Sequence, residues 1–122
     1  MFRLTKSFMY AFRGLLKAWR EEANFRFETV ATLAIVVLAV LLRLDGVRVA
    51  ILALTCGLVL ALELVNTMIE QISDVLKPRL DQYVKHIKDL SAAAVLVAAL
   101  TAIVIAVCLL LPPIFDLFRL AS

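Results

Sequence analysis

The amino-acid sequence predicts an all-α membrane protein, with an N-terminal amphipathic surface helix and three transmembrane helices per subunit. Three observations carry this. Hydrophobic residues fill 64% of the 122 positions and mean hydropathy is +1.00, far above the apolar content of about 45–50% in soluble domains. The apolar residues gather into three runs near 27–44, 47–65 and 90–111, each close to the roughly 20 residues that cross a hydrocarbon core about 30 Å thick. The first 27 positions instead alternate basic and apolar residues at helical spacing. The length suits a single domain over 1–122.

Residues 3–27 are expected to form the surface helix. Arg3, Lys6, Tyr10, Arg13, Lys17, Arg20 and Asn24 share one face, and Phe8, Phe12, Leu15, Leu16 and Trp19 lie on the other. A basic face opposite an apolar face with a Trp is the pattern of a helix lying in the membrane interface. Charges scattered through this segment argue against a cleaved signal peptide. Glu22 breaks the pattern by projecting from the apolar face after Leu15 and Trp19, and an acid there wants a cation, a proton or a metal as partner. Glu21 and Glu28 have more ordinary positions.

The first span follows at 27–44, closed by a tight turn over Arg43–Leu44–Asp45–Gly46 in which Gly46 supplies a positive φ. The second span begins at 47, and its helical pattern continues past 65 to about Leu76. That is roughly 45 Å of helix, longer than a bilayer core. Lys77–Pro78–Arg79 is expected to stop it. A polar connector over 79–89 leads to the third span at 90–111, whose Ser91, Ala92, Ala93 and Ala94 permit close helix packing. Pro112 and Pro113 are expected to end it. Cys56 and Cys108 sit inside apolar runs and read as buried small hydrophobes.

Lys and Arg placement sets the orientation. The N-terminal segment holds six, 77–89 holds four, the 43–48 turn holds two and the C-terminus holds Arg119. By the positive-inside rule the N-terminus and the 77–89 loop are cytoplasmic and the C-terminus is outside.

The chemistry-bearing stretch is the end of the second helix. At about 100° per residue, Glu63, Asn66, Thr67, Glu70 and Asp74 fall within an arc of roughly 100°. Any one of these acids could be a plain interfacial charge, but three with an Asn on one arc point to function. The orientation brings this stripe together with Glu22 and with Lys88–Asp89. Such a set suits phosphoryl transfer to a lipid head group. Mg²⁺ is typically held by one or two carboxylates plus substrate phosphates, and Glu22 with Glu70 is the best pair. Glu63, nearest the membrane, is the candidate general base. Asn66 would orient Glu63 or bond a phosphate, Asp74 would tie down the connector or help bind nucleotide, and Lys88 would hold the polyphosphate. His86 reads as a solvated connector residue. With no glycine-rich phosphate loop, a soluble nucleotide-binding fold is excluded. The competing reading is a small channel, transporter or accessory subunit. It would need polar residues deep in the spans, where only Thr55, Gly57 and Thr101 interrupt the apolar middle.

These residues resemble the prokaryotic diacylglycerol kinase family, which includes undecaprenol kinases. Glu63, Asn66, Thr67, Ile69, Glu70 and Asp74 fit its pattern E-x-x-N-[ST]-x-I-E-x-x-x-D. Lys88–Asp89 followed by Ala93–Ala94–Val95, and Gly14 with Glu22, Phe25 and Arg26, also fit. The resemblance implies a lipid kinase of the bacterial inner membrane that uses ATP and Mg²⁺, built as a homotrimer with active sites shared between subunits and no nucleic-acid partner. It implies catalytic roles for Glu63, Asn66 and Lys88, metal ligation by Glu22 and Glu70, and nucleotide-site positions for Arg3, Tyr10, Glu22, Glu70, Asp74, Lys88 and Asp89. The chain departs from the family over 78–85, where Arg79 and Asp81 replace its usual residues. It also departs after Asp89, where Ser91 precedes Ala92, so that a lipid-contacting hydroxyl one position later is missing. Asn24, Phe25 and Phe27, Asn66–Thr67 and Leu111–Pro112 lean toward the undecaprenol-kinase branch.

Overall fold

The computed structural model describes residues 1–76 and 81–122, and they form four α-helices: α1 (Phe2–Glu21), α2 (Ala23–Leu41), α3 (Gly46–Leu76) and α4 (Asp81–Ala121). No strand occurs among the described residues. α2, α3 and α4 are each long and apolar enough to cross a membrane, so the chain is a multi-pass all-α membrane protein. The stop expected at Lys77–Pro78–Arg79, and Arg79 itself, lie outside the described residues.

The surface helix ends sooner than its pattern suggested, at Glu21 rather than 27. Glu22 is extended, at φ −109° and ψ 108°, and is a one-residue joint. Its N–H closes α1 on the Ala18 carbonyl at 2.9 Å, and its own carbonyl accepts the Arg26 N–H at 3.2 Å as α2 begins. The last carbonyls of a helix have no partners within it. Here the Arg26 guanidinium supplies one, donating to the Trp19 and Arg20 carbonyls at 2.9 and 3.0 Å. No Gly or Pro marks the break, so the amphipathic pattern ran through it. The first span accordingly begins at Ala23 and ends at Leu41, not at 27 and 44.

The turn after α2 is tighter than expected and uses a different residue. Arg43, not Gly46, has the positive φ, at 56°. The Arg43 N–H bonds the Val40 carbonyl at 3.0 Å and the Leu44 N–H bonds the Ala39 carbonyl at 3.1 Å. This pair of bonds is the Schellman motif, with Arg43 where Gly is usual. Its accompanying apolar contact is present, since Leu44 packs on the cluster of Ala39, Leu52 and Leu110. Asp45 precedes α3, accepts the Val49 N–H at 3.1 Å and pairs with Arg48 at 3.2 Å.

α3 is the central helix, packed most extensively on α4 and then on α2, while α1 touches α2 lightly. α4 already runs through the expected connector from Asp81, and it continues through Pro112 and Pro113 to Ala121. Each Pro lacks the N–H that would bond four residues back. Packing holds the helix across that gap: Leu110 on one side and Ile114 on the other both lie against the Ala39–Leu52 cluster. Of the two cysteines, Cys56 is buried and Cys108 is exposed on α4, so the expectation of burial fails for the second. Most apolar side chains of the spans are exposed in the single chain, a surface that lipid or neighbouring chains must cover.

Candidate active site

The carboxylates gather at one end of the bundle, where α3 passes the joint between α1 and α2. Glu63 is buried, with 3% of its surface exposed. It reaches that position because α3 continues as helix beyond the apolar stretch, placing the residue against the start of α2. The charges of Glu70 and Glu22 act on it, and the Asn24 side chain lies near its carboxylate. Glu28, one and a half turns along α2 from Glu22, also lies within range of Glu63. One turn beyond Glu63, the Asn66 amide donates from Nδ2 to Glu70 Oε1 at 3.3 Å. Its Oδ1 accepts from Ser91 Oγ at 2.7 Å. The sequence leads to the expectation that Asn66 orients Glu63 or bonds a phosphate; in the structure its amide instead holds Glu70.

Further out, Asp74 meets Lys88 across the α3–α4 pair, with Nζ to Oδ1 at 3.6 Å. Lys88 and Asp89 line a hollow of about 360 Å³ with Asp81, Val84 and Lys85. This mixed-charge hollow has the residue types that bind a polyphosphate and its counter-ions. Between α1 and α3 lies a mainly apolar cleft of about 470 Å³, lined by Leu15, Ala18, Glu21, Glu22, Leu64 and Met68 among others. Arg3 and Tyr10 are exposed on α1. Thus, within one chain, Glu63 lies within electrostatic range of Glu22 and Glu70, Asn66 is bonded to Glu70, and Asp74 with Lys88 forms a second group beside them. Arg3 and Tyr10 stand apart on α1.

Sequence reasoning missed three residues. By its spacing Asn24 belongs to the basic face of a continuous helix, and the break at Glu22 places it instead at the start of α2, near Glu63. By position in the sequence Glu28 is ordinary. In the structure it lines a groove of about 310 Å³ among α2, α3 and α4, and its buried Oε2 has no hydrogen-bond partner among the described residues. An acid inside the first span was itself the available signal. In the sequence Ser91 is only a small packing residue. It gave no signal, because its partner lies 25 positions away.

The molecule is thus a helical membrane protein with carboxylates gathered at one end of its bundle beside a mixed-charge hollow. The family model "Prokaryotic diacylglycerol kinase" matches residues 9–110. A diacylglycerol kinase of Synechocystis is 42% identical over 93% of this chain, which spans 66% of that relative's length. The diacylglycerol kinase of Escherichia coli K12 is 38% identical over 84% of each chain. The undecaprenol kinase of Bacillus subtilis is 34% identical over 90% of this chain and 89% of its own. The chain belongs to the prokaryotic diacylglycerol kinase family and is a lipid kinase, a phosphotransferase with an alcohol group as acceptor. Such membership implies ATP as the phosphate donor and sets aside the reading as a channel or accessory subunit.

Proposed function

We propose that this protein transfers the γ-phosphate of ATP, with Mg²⁺, to the hydroxyl of a membrane lipid: diacylglycerol or undecaprenol, the acceptors in its relatives' names. The observation that carries this reading is the convergence of Glu22, Glu63, Asn66 and Glu70 where α3 passes the α1–α2 joint. Glu63 is the base: it takes the proton from the lipid hydroxyl as that oxygen bonds the γ-phosphorus and ADP departs. Its position at the apolar end of the stripe supports this, since a lipid hydroxyl is presented there. Phosphoryl transfer otherwise asks for positioning and charge rather than covalent help.

The donor set fits a hard divalent cation. The groups gathered here are carboxylates and an amide, all oxygen or nitrogen donors. No three His, Cys, Asp or Glu side chains among the described residues are close enough to hold a metal alone. Mg²⁺ sites commonly take one or two carboxylates and complete themselves with substrate phosphates. Glu22 and Glu70 would be those ligands, and the ion would neutralise charge on the transferring phosphate. Lys88, Asp74 and Asp89 would hold the nucleotide, with Arg3 and Tyr10 from the surface helix.

We place the N-terminus and the acid cluster on the cytoplasmic side of the bacterial inner membrane and the C-terminus outside, on the Lys and Arg distribution. ATP then arrives from the cytoplasm and the lipid from the bilayer plane. The working unit is a homotrimer with active sites shared between subunits. The exposed apolar faces of α2–α4 support assembly, and the exposed Arg3 and Tyr10 are the parts most readily lent to a neighbour's site. The test is transfer of labelled phosphate from ATP to diacylglycerol and to undecaprenol, side by side in mixed micelles, with Mg²⁺ and with chelator. Metal-dependent labelling of one lipid is expected and names the acceptor. Labelling of neither overturns the reading.

A further inference from the structure

Hydroxyls in membrane-spanning helices commonly bond back to the carbonyl one turn earlier. Thr29, Thr55 and Thr101 do so here, donating to the Phe25, Ile51 and Val97 carbonyls at 2.7, 2.7 and 2.8 Å. Ser91, buried at 8% exposure, does not follow them. Its Oγ crosses from α4 to α3 and donates to Asn66 Oδ1 at 2.7 Å, while Asn66 Nδ2 donates to Glu70 Oε1 at 3.3 Å. The two bonds form one directed chain, hydroxyl to amide to carboxylate.

The direction matters. An Asn amide has the same shape when flipped, so packing cannot choose between its two ends. Flipped, it would aim Oδ1 at the Glu70 carboxylate, oxygen against oxygen. With the hydroxyl occupying Oδ1, both ends are matched, and polarisation along the chain strengthens the bond to Glu70. The link also spans two helices, so it fixes Glu70 relative to α4, which carries Lys88.

We propose that Ser91 is a positioning residue of this enzyme, holding Glu70 through Asn66 in the orientation that binds the divalent cation. This rests on the reading of Glu70 as a metal ligand. Ser91 does not touch substrate or metal. Its contribution enters through the geometry of one carboxylate, and it therefore appears in metal affinity rather than in the proton-transfer step.

The experiment measures Mn²⁺ binding to the detergent-solubilised full chain, in the presence of a non-hydrolysable ATP analogue, from the loss of the free-ion electron spin resonance signal. Ser91→Ala removes a single oxygen and leaves a good helix former. It is expected to raise the Mn²⁺ Kd about threefold to tenfold, the loss of one intramolecular hydrogen bond, with kcat at saturating Mg²⁺ within about twofold of the parent. Ser91→Thr, which keeps the hydroxyl, restores the affinity. In an Asn66→Ala background Ser91→Ala has no further effect. Unchanged Mn²⁺ affinity in Ser91→Ala, while Glu70→Gln weakens binding, overturns the role of Ser91 and leaves the metal site standing. Unchanged affinity in Glu70→Gln overturns the metal-site reading and the Ser91 proposal with it. A Ser91→Ala variant whose kcat falls while its Kd stays at the parent value also overturns the proposal.

Discussion

Glu63 combines near-complete burial with a surrounding of other acids, a placement that packing alone does not reward. Glu63→Gln keeps the volume and removes the proposed base. Turnover is expected to fall about 10²- to 10⁴-fold with helical content unchanged, which labelled-phosphate transfer and circular dichroism on one preparation check. Lys88 and Asp74 behave differently. Their side chains are 37% and 69% exposed, so the pair contributes at most about 1 kcal/mol to stability. Lys88→Met is instead expected to raise KM for ATP about tenfold, the loss of a charge-assisted contact, with the thermal midpoint nearly unmoved. Much at this scale was legible beforehand. An acid stripe on one arc needs only helical periodicity, and Glu22 announced itself as a charge among apolar neighbours. Asn24 and Ser91 did not, because their meaning depends on a backbone break and on a helix 25 positions away.

The helices themselves follow from composition and period, and the three spans and the overlong α3 lay open in the sequence. Their ends did not. α1 stops at a residue with no turn character, because the stop is made by Arg26 reaching back to the carbonyls of Trp19 and Arg20. α4 passes two prolines because Leu110 and Ile114 are anchored on either side of them. Both are tertiary effects that no local pattern contains. The α2–α3 turn offers a test. Arg43 holds a left-handed conformation, which costs a residue with a Cβ about 1–2 kcal/mol. Arg43→Gly is expected to stabilise the protein by about 0.5–1 kcal/mol after the greater entropy of Gly in the unfolded chain is subtracted. Unfolding of both forms in the same detergent measures it.

The whole molecule leaves wide apolar faces, and the exposed Arg3 and Tyr10, proposed here for the nucleotide, stand apart from the carboxylates. If neighbours complete one another's sites, mixing inactive Glu63→Gln chains with inactive Tyr10→Ala chains before reassembly restores measurable turnover. Mixtures that stay dead assign each site to one chain. The joint at Glu22 has a consequence for the enzyme in its bilayer. α1 is amphipathic, and the depth at which it rides reflects the balance of its basic and apolar faces against head groups and acyl chains. A single extended residue separates α1 from the crossing helix α2, and that residue is Glu22. There is no slack between the float and the keel. A lipid mixture that lifts or tilts α1 would drag this carboxylate with it, so that, with Glu22 holding the cation as proposed, the membrane that supplies the substrate would also work as a tuning screw on the site.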